Sequence, residues 1–153
     1  RAMTTPKLPL HGACRCGAVH VTISAAPLMT AACHCTGCQK MSASAFSLTA
    51  MVPPQGFAVT QGQTQRGGLG DGQLDHQFCP SCLTWIFTRI TGLEYFVNVR
   101  PTMFDDTSWF TPFIETMTQD KLAWATTPAR HSFEAFPSME DMPTLMAEFS
   151  ETR

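Results

Sequence analysis

The hydrophobic and polar positions alternate with a period of two over most of the first hundred residues, which is the signature of strands with one face buried. Residues 18–23 place Val19, Val21 and Ile23 on one face and His20 and Thr22 on the other. A second strand is predicted over 29–35, and a short turn over 39–43 leads into a third over 44–52, stopped by Pro53-Pro54. A short strand at 57–60 precedes a segment, 62–72, whose five glycines predict a loop with at most a brief strand. Three more strands are predicted at 74–78, 84–90 and 94–100, the last two joined by a turn at Gly92. Residues 101–110 read as a loop or short helix, 113–117 as a strand and 122–125 as a final apolar edge.

The period changes in the tail. Met142, Leu145, Met146 and Phe149 recur at helical spacing, with Asp141 at the start and Pro143 confined to the first turn. The pattern predicts a mainly β domain of antiparallel sheets with a short C-terminal helix that covers its own core. The organisation expected is an extension over 1–9, a main domain over 10–136 and a helical tail over 137–153. Arg1 and Ala2 read as a cloning remnant ahead of Met3.

Composition narrows the partners. Ten basic and twelve acidic residues give a formal charge of −2, and no Lys/Arg run gathers on one segment, so charge alone does not recruit nucleic acid. No apolar stretch approaches the roughly 18 residues of a membrane span, and the N-terminus lacks the layout of a secretory signal. A cytoplasmic protein is expected. Charged residues make up 14% of the chain, well under the usual quarter, and that leaves room for a homodimer.

The seven cysteines carry the chemistry. They fall as Cys14-Arg15-Cys16, Cys33-His34-Cys35-Thr36-Gly37-Cys38 and Cys79-Pro80-Ser81-Cys82. Core packing has no reason to bring thiols two or three residues apart three times, whereas a tight turn around a metal ion does. Gly12, Gly17, Gly37, Pro80 and Ser81 supply the turns.

These runs, with Gly12-Ala13 before the first and Phe78 before the last, resemble the glutathione-dependent formaldehyde-activating enzyme family, which includes the centromere protein V relatives. The similarity extends from Leu10 to Trp124 and takes in Asp105-Asp106 and Pro112. It implies a β-tent fold of antiparallel sheets, two zinc sites, and a carbon–sulfur lyase-type activity that condenses glutathione with formaldehyde. Carried over by motif, Cys14, Cys16, Cys79 and Cys82 would hold a structural zinc. Four thiolates close a tetrahedral site, which agrees with that role. Cys33, Cys35 and Cys38 would hold a second zinc with one position open to a thiolate or carbonyl, and so form the catalytic site. One departure stands out: where the family continues its last pair with glycine, this chain has Cys82-Leu83-Thr84.

Other readings of the same residues stay open. The second trio can remain empty, pair as disulfides or act as a redox nucleophile, and the quartet alone would suit a non-enzymatic zinc module that binds proteins. His34 lies between two ligands but should face away from the metal, because neighbours on an extended segment point oppositely, and is better placed for a substrate or supporting contact. Asp75-His76 reads either as an oriented base or as a half-exposed polar pair. His11, His20 and His131 read as surface residues. Glutathione's carboxylates call for cations, and Lys40, Arg15, Arg89 and Arg100 are the candidates. Phe46, Phe78, Trp85 and Trp109 are candidates for the pocket wall or the core. The thiol partner could equally be another small thiol, and the aldehyde another small aldehyde.

Overall fold

A computed structural model describes residues 5–70 and 72–153. Arg1, Ala2, Met3, Thr4 and Asp71 lie outside the described residues, and with them the reading of a cloning remnant and one position of the glycine-rich segment. The chain folds as β1 (Leu10–Ala13), β2 (His20–Ile23), β3 (Met29–Cys33), α1 (Thr36–Ser42), β4 (Ser47–Val52) and β5 (Phe57–Gln61). It continues as β6 (Gln65–Gly67), β7 (Leu74–Phe78), β8 (Trp85–Ile90), β9 (Val97–Val99), β10 (Ile114–Thr116), β11 (His131–Ser132) and α2 (Met142–Glu151).

Two sheets result. β1, β2 and β5 form a small antiparallel sheet, and the order β11-β10-β3-β4-β9-β8-β7-β6 forms a large one. The expected mainly β architecture with a short C-terminal helix is what the chain adopts. Antiparallel pairing holds throughout except at one edge, where β10 runs parallel to both β3 and β11.

Alternation along the central strands explains the layering. Ala50 and Val52 of β4 face a core shared with Val21, Ile23 and Phe57 of the small sheet, together with Ile86, Val97 and Val99. Met51, between them in sequence, faces the opposite side and joins Met29, Phe96, Phe113 and Ile114 beneath Met142, Leu145 and Phe149 of α2. β4 is therefore covered on both faces, and almost all of its residues are buried. The tail helix covers the chain's own core, as its periodicity predicts.

Three expectations fail, each for a local reason. Of residues 39–43, read as a turn, the first four belong to α1 and Ala43 caps its end; this helix has no buried residue and hence no apolar period to announce it. The predicted edge over 122–125 is not a strand; Ala125 is buried, but its amide bonds only to the Leu122 carbonyl in a turn. The strand predicted over 29–35 ends at Cys33, because Cys35 caps α1.

Candidate functional site

The first cysteine group is built from two hairpin turns on different sheets. In one, Cys14 N–H bonds to the Val19 carbonyl at 2.9 Å, Gly17 N–H bonds to the Cys14 carbonyl at 3.0 Å, and the Val19 amide donates to Cys14 Sγ at 3.3 Å. Gly17 has φ of +80°, which a side chain would strain. Gly12, just before it, has no room for a side chain, since a Cβ would sit 2.6 Å from the Met103 carbonyl oxygen. In the other hairpin, Cys79 N–H bonds to the Thr84 carbonyl and Leu83 N–H to the Cys79 carbonyl, both at 2.9 Å. Arg15 N–H donates to Thr84 Oγ1 at 3.2 Å and stitches the two turns together.

The four sulfurs of Cys14, Cys16, Cys79 and Cys82 all lie within 4.8 Å of one another. Cys14 and Cys16 are 3.6 Å apart and Cys16 and Cys79 are 3.8 Å apart. A tetrahedron of thiolates about 2.3 Å from zinc has edges of about 3.8 Å, so the donor set and its spacing fit that ion. Hydrogen bonds from the Thr84 hydroxyl and backbone pull the Cys82 thiol down to about 5, ready to ligate at neutral pH.

Leu83 occupies the glycine position of the second hairpin, with φ of +59° and 64% of its surface exposed. A left-handed leucine costs about 1–2 kcal/mol and gains nothing here from burial. Leu83→Gly is accordingly expected to raise the melting temperature by a few degrees, less than the full strain because glycine loses more entropy on folding. A lower melting temperature by calorimetry would show that the leucine is not strained.

The second group forms where β3 ends and α1 begins. The sulfurs of Cys33, Cys35 and Cys38 also lie within 4.8 Å of one another, each half-buried. Cys35 caps the helix, its sulfur accepting from Cys38 N–H at 3.3 Å. The thiols titrate together: hydrogen bonding from Cys38 pulls Cys33 down to about 5 against its own desolvation, and Cys38 is pushed up in exchange. Three soft donors with a fourth direction left open again suit zinc.

His34 turns away from this trio, as alternation predicts. It is fully buried, packs edge-on to Phe46 at 5.4 Å, and places Nε2 3.8 Å from Glu115 Oε2. Among the described residues neither ring nitrogen has a hydrogen-bond partner. Its backbone does the positioning: the amide donates to the Thr116 carbonyl at 3.0 Å, and its carbonyl accepts from Gln39 Nε2 at 2.6 Å. Glu115 is held in turn by the Thr127 hydroxyl.

The trio opens into a cavity of about 310 Å³ on the α2 side of the large sheet, near the lower end of small-molecule sites. Arg100, 7% exposed, lies in its wall with its guanidinium 4.0 Å from the centre of the Trp85 ring. Burial lowers it to about 10, opposed by the charges of Cys38 and Cys33, so it stays protonated at pH 7. Arg100 Nε has no hydrogen-bond partner, and among the described residues no carboxylate pairs with this side chain. His76 lines the same wall, its Nδ1 2.8 Å from Thr88 Oγ1, which also accepts from Trp85 Nε1 at 3.1 Å. Burial, reinforced by Arg100, lowers the His76 pKa against the opposing effect of Asp75. Asp75 does not orient it, being turned instead toward Arg66 and Gln77.

The other candidates disperse. Lys40 borders a separate surface hollow with Trp124, and Arg15 is exposed. Arg89 is exposed and lies over the Phe87 ring. His131 is ion-paired with Glu148 at 3.0 Å, His20 bonds the Gly17 carbonyl, and His11 is exposed beside Thr22. Trp109 is core, and Phe78 stacks on Trp85. Asn98, Thr88, Ser47 and Thr116 reach the cavity without any motif to announce them.

Residues 9–120 match the family described as glutathione-dependent formaldehyde-activating enzyme. The chain belongs to this family. Its fold is similar to the crystal structure of a Rhodobacter sphaeroides protein, at TM-score 0.50 and 18% identity, over 63% of this chain and 88% of that one. Among curated proteins the chain finds no significant match. For this family member, two cysteine clusters stand ready to hold metal, and one of them borders a cavity. Among the described residues no helix is long and apolar enough to cross a membrane.

Proposed function

We propose that this chain accelerates the reversible addition of a small thiol such as glutathione to a small aldehyde, a carbon–sulfur lyase-type reaction, with zinc in both cysteine clusters. The observation that carries the reading is the three-cysteine group opening into a cavity beside a buried arginine that pairs with no carboxylate among the described residues. The quartet Cys14, Cys16, Cys79 and Cys82 fills a tetrahedral coordination sphere and serves structure, whereas Cys33, Cys35 and Cys38 leave one position for substrate. Zinc bound there supplies Lewis acidity and lowers the pKa of a nearby thiol.

The chain's own residues handle the proton and the developing charge. The sulfur lone pair forms the C–S bond, and the C=O π pair moves onto oxygen. The thiol proton ends on that oxygen, so nothing is oxidised or reduced. His76, neutral at pH 7 and anchored through Nδ1 on Thr88, takes the proton at Nε2 and returns it. Arg100, fixed against Trp85, steadies the negative charge that grows on oxygen. None of the seven cysteines is paired in a disulfide, which suits metal-binding thiolates in a reducing cytoplasm.

The test is native mass spectrometry of zinc-loaded protein alongside a rate assay with glutathione and formaldehyde. Two ions per chain are expected, one of them lost in Cys35→Ala, together with acceleration over the uncatalysed addition. One ion per chain, with Cys33, Cys35 and Cys38 readily alkylated in metal-replete protein, overturns the reading in favour of thiol redox chemistry.

A further inference from the structure

The rows of side chains across the cavity floor run from reactive to apolar. At one end the sheet register sets Cys33 of β3 opposite Ser47 of β4 and beside Thr116 of β10. Two residues back along β3 stand Ala31 and Thr49, and two further back Met29 faces Met51. β7 and β8 repeat the gradient, with His76 paired to Thr88 and Leu74 paired to Ile90. Phe136, Met139 and Met142 line the cavity from the C-terminal segment, and Met142 packs with Met29 and Met51 at the apolar end. The two gradients run in the same direction but are offset: His76, Thr88 and Asn98 stand in one row with Met51 and Met29, and Leu74 and Ile90 extend the hydrocarbon beyond it.

Glutathione brings two carboxylates and an ammonium, and burying each unpaired costs several kcal/mol. Among the described residues the wall offers one full positive charge, Arg100, because His76 is held neutral. Beside Arg100 the wall carries the neutral amide of Asn98. One cation and one amide suit a single oxygen, the hydroxyl that thiol addition makes from an aldehyde, and they do not suit two carboxylates.

We infer that the aldehyde this chain takes carries an apolar substituent, an alkyl chain or an aromatic ring, seated on the methionine end of the cavity while the charged thiol keeps its ionic ends in solvent. The inference rests on the thiol–aldehyde reading above and names the substrate class of that site. The aldehyde carbon lies toward Cys33, the oxygen toward Arg100 and Asn98, and the substituent runs along Met29 and Met51 beneath Met142.

Primary alcohols with the same single hydroxyl and no reactivity test this directly, with binding followed by calorimetry and tryptophan fluorescence on zinc-loaded protein. Octan-1-ol is expected to bind saturably, one per chain, at least tenfold more tightly than butan-1-ol. Ile90→Trp fills the apolar end, and Met139→Asp puts a charge on the cavity wall from a side chain exposed enough to leave folding intact. Each is expected to weaken octan-1-ol at least tenfold. Equal affinity for the two alcohols, or octan-1-ol binding that neither variant changes, overturns the inference. Octan-1-ol binding by a protein that accelerates no thiol addition upholds the ligand class and overturns only the reaction. Acceleration with formaldehyde and no octan-1-ol binding does the reverse.

Discussion

Cys82→Ala is expected to yield a chain that does not fold to a soluble, cooperatively melting state. The quartet joins the turn between β1 and β2, which belongs to the small sheet, to the turn between β7 and β8, which belongs to the large one. Losing one thiolate of four therefore weakens the link between the two layers of the main core as well as a local knuckle. Zinc bound by such sites contributes about 10–16 kcal/mol in small zinc domains, against a net stability of about 5–15 kcal/mol for a whole domain. Even a partial loss of that contribution exceeds the margin. Cys35→Ala is the internal control, because the trio spans only residues 33–38 and closes no contact between the sheets. It should melt close to wild type. Metal content, solubility and urea denaturation of the two variants side by side decide the matter, and a Cys82→Ala protein melting near wild type would remove the structural assignment.

The clustering of the cysteines was legible because it is written in short spacings, and local turns are what a sequence encodes most directly, whereas the joining of the first pair to the last came from the family resemblance alone. The strands with clear alternation, such as 18–23 and 74–78, were legible for the same reason. α1 was not, since its seven residues bury nothing and their order comes from the Cys35 cap and the Ser42 hydroxyl bonded to the Cys38 carbonyl. β11 pairs through two residues only, and β10 joins β3 across more than eighty positions in a parallel ladder, which local alternation cannot foresee. The cation at the site shows the limit most clearly. Lys40 was the nearest in sequence to the trio and ends on another surface, while Arg100, sixty-two residues from Cys38, comes to the cavity through the β4–β9 and β8–β9 pairings. The Met29-Ala31-Cys33 and Ser47-Thr49-Met51 alternations did carry the polarity gradient of the floor, but only the strand register brings them into line.

Arg100→Met is expected to lower the rate of thiol addition by a hundredfold to a thousandfold while leaving the fold intact. Three thiolates around a divalent cation leave a net negative site, and an incoming thiolate or an oxyanion adds to it. Arg100 is the full positive charge in the described cavity wall, and it is already desolvated, so its field at the reacting oxygen is not weakened by water. Losses of this size correspond to about 2.7–4 kcal/mol of transition-state stabilisation. Folding should not suffer, because no carboxylate depends on the guanidinium among the described residues and methionine keeps the apolar stem against Trp85. A melting temperature at or slightly above wild type is the expected companion result. Arg100→Lys restores the charge without the planar fork, and should recover part of the lost rate with little change in KM for the thiol. A structural role for Arg100 predicts the opposite pairing, in which Arg100→Met loses stability and Arg100→Lys recovers it without affecting turnover. Steady-state rates and melting curves on the same three preparations separate the two, and an Arg100→Met enzyme that turns over like wild type would leave the buried charge as a counter-ion to the cysteines alone.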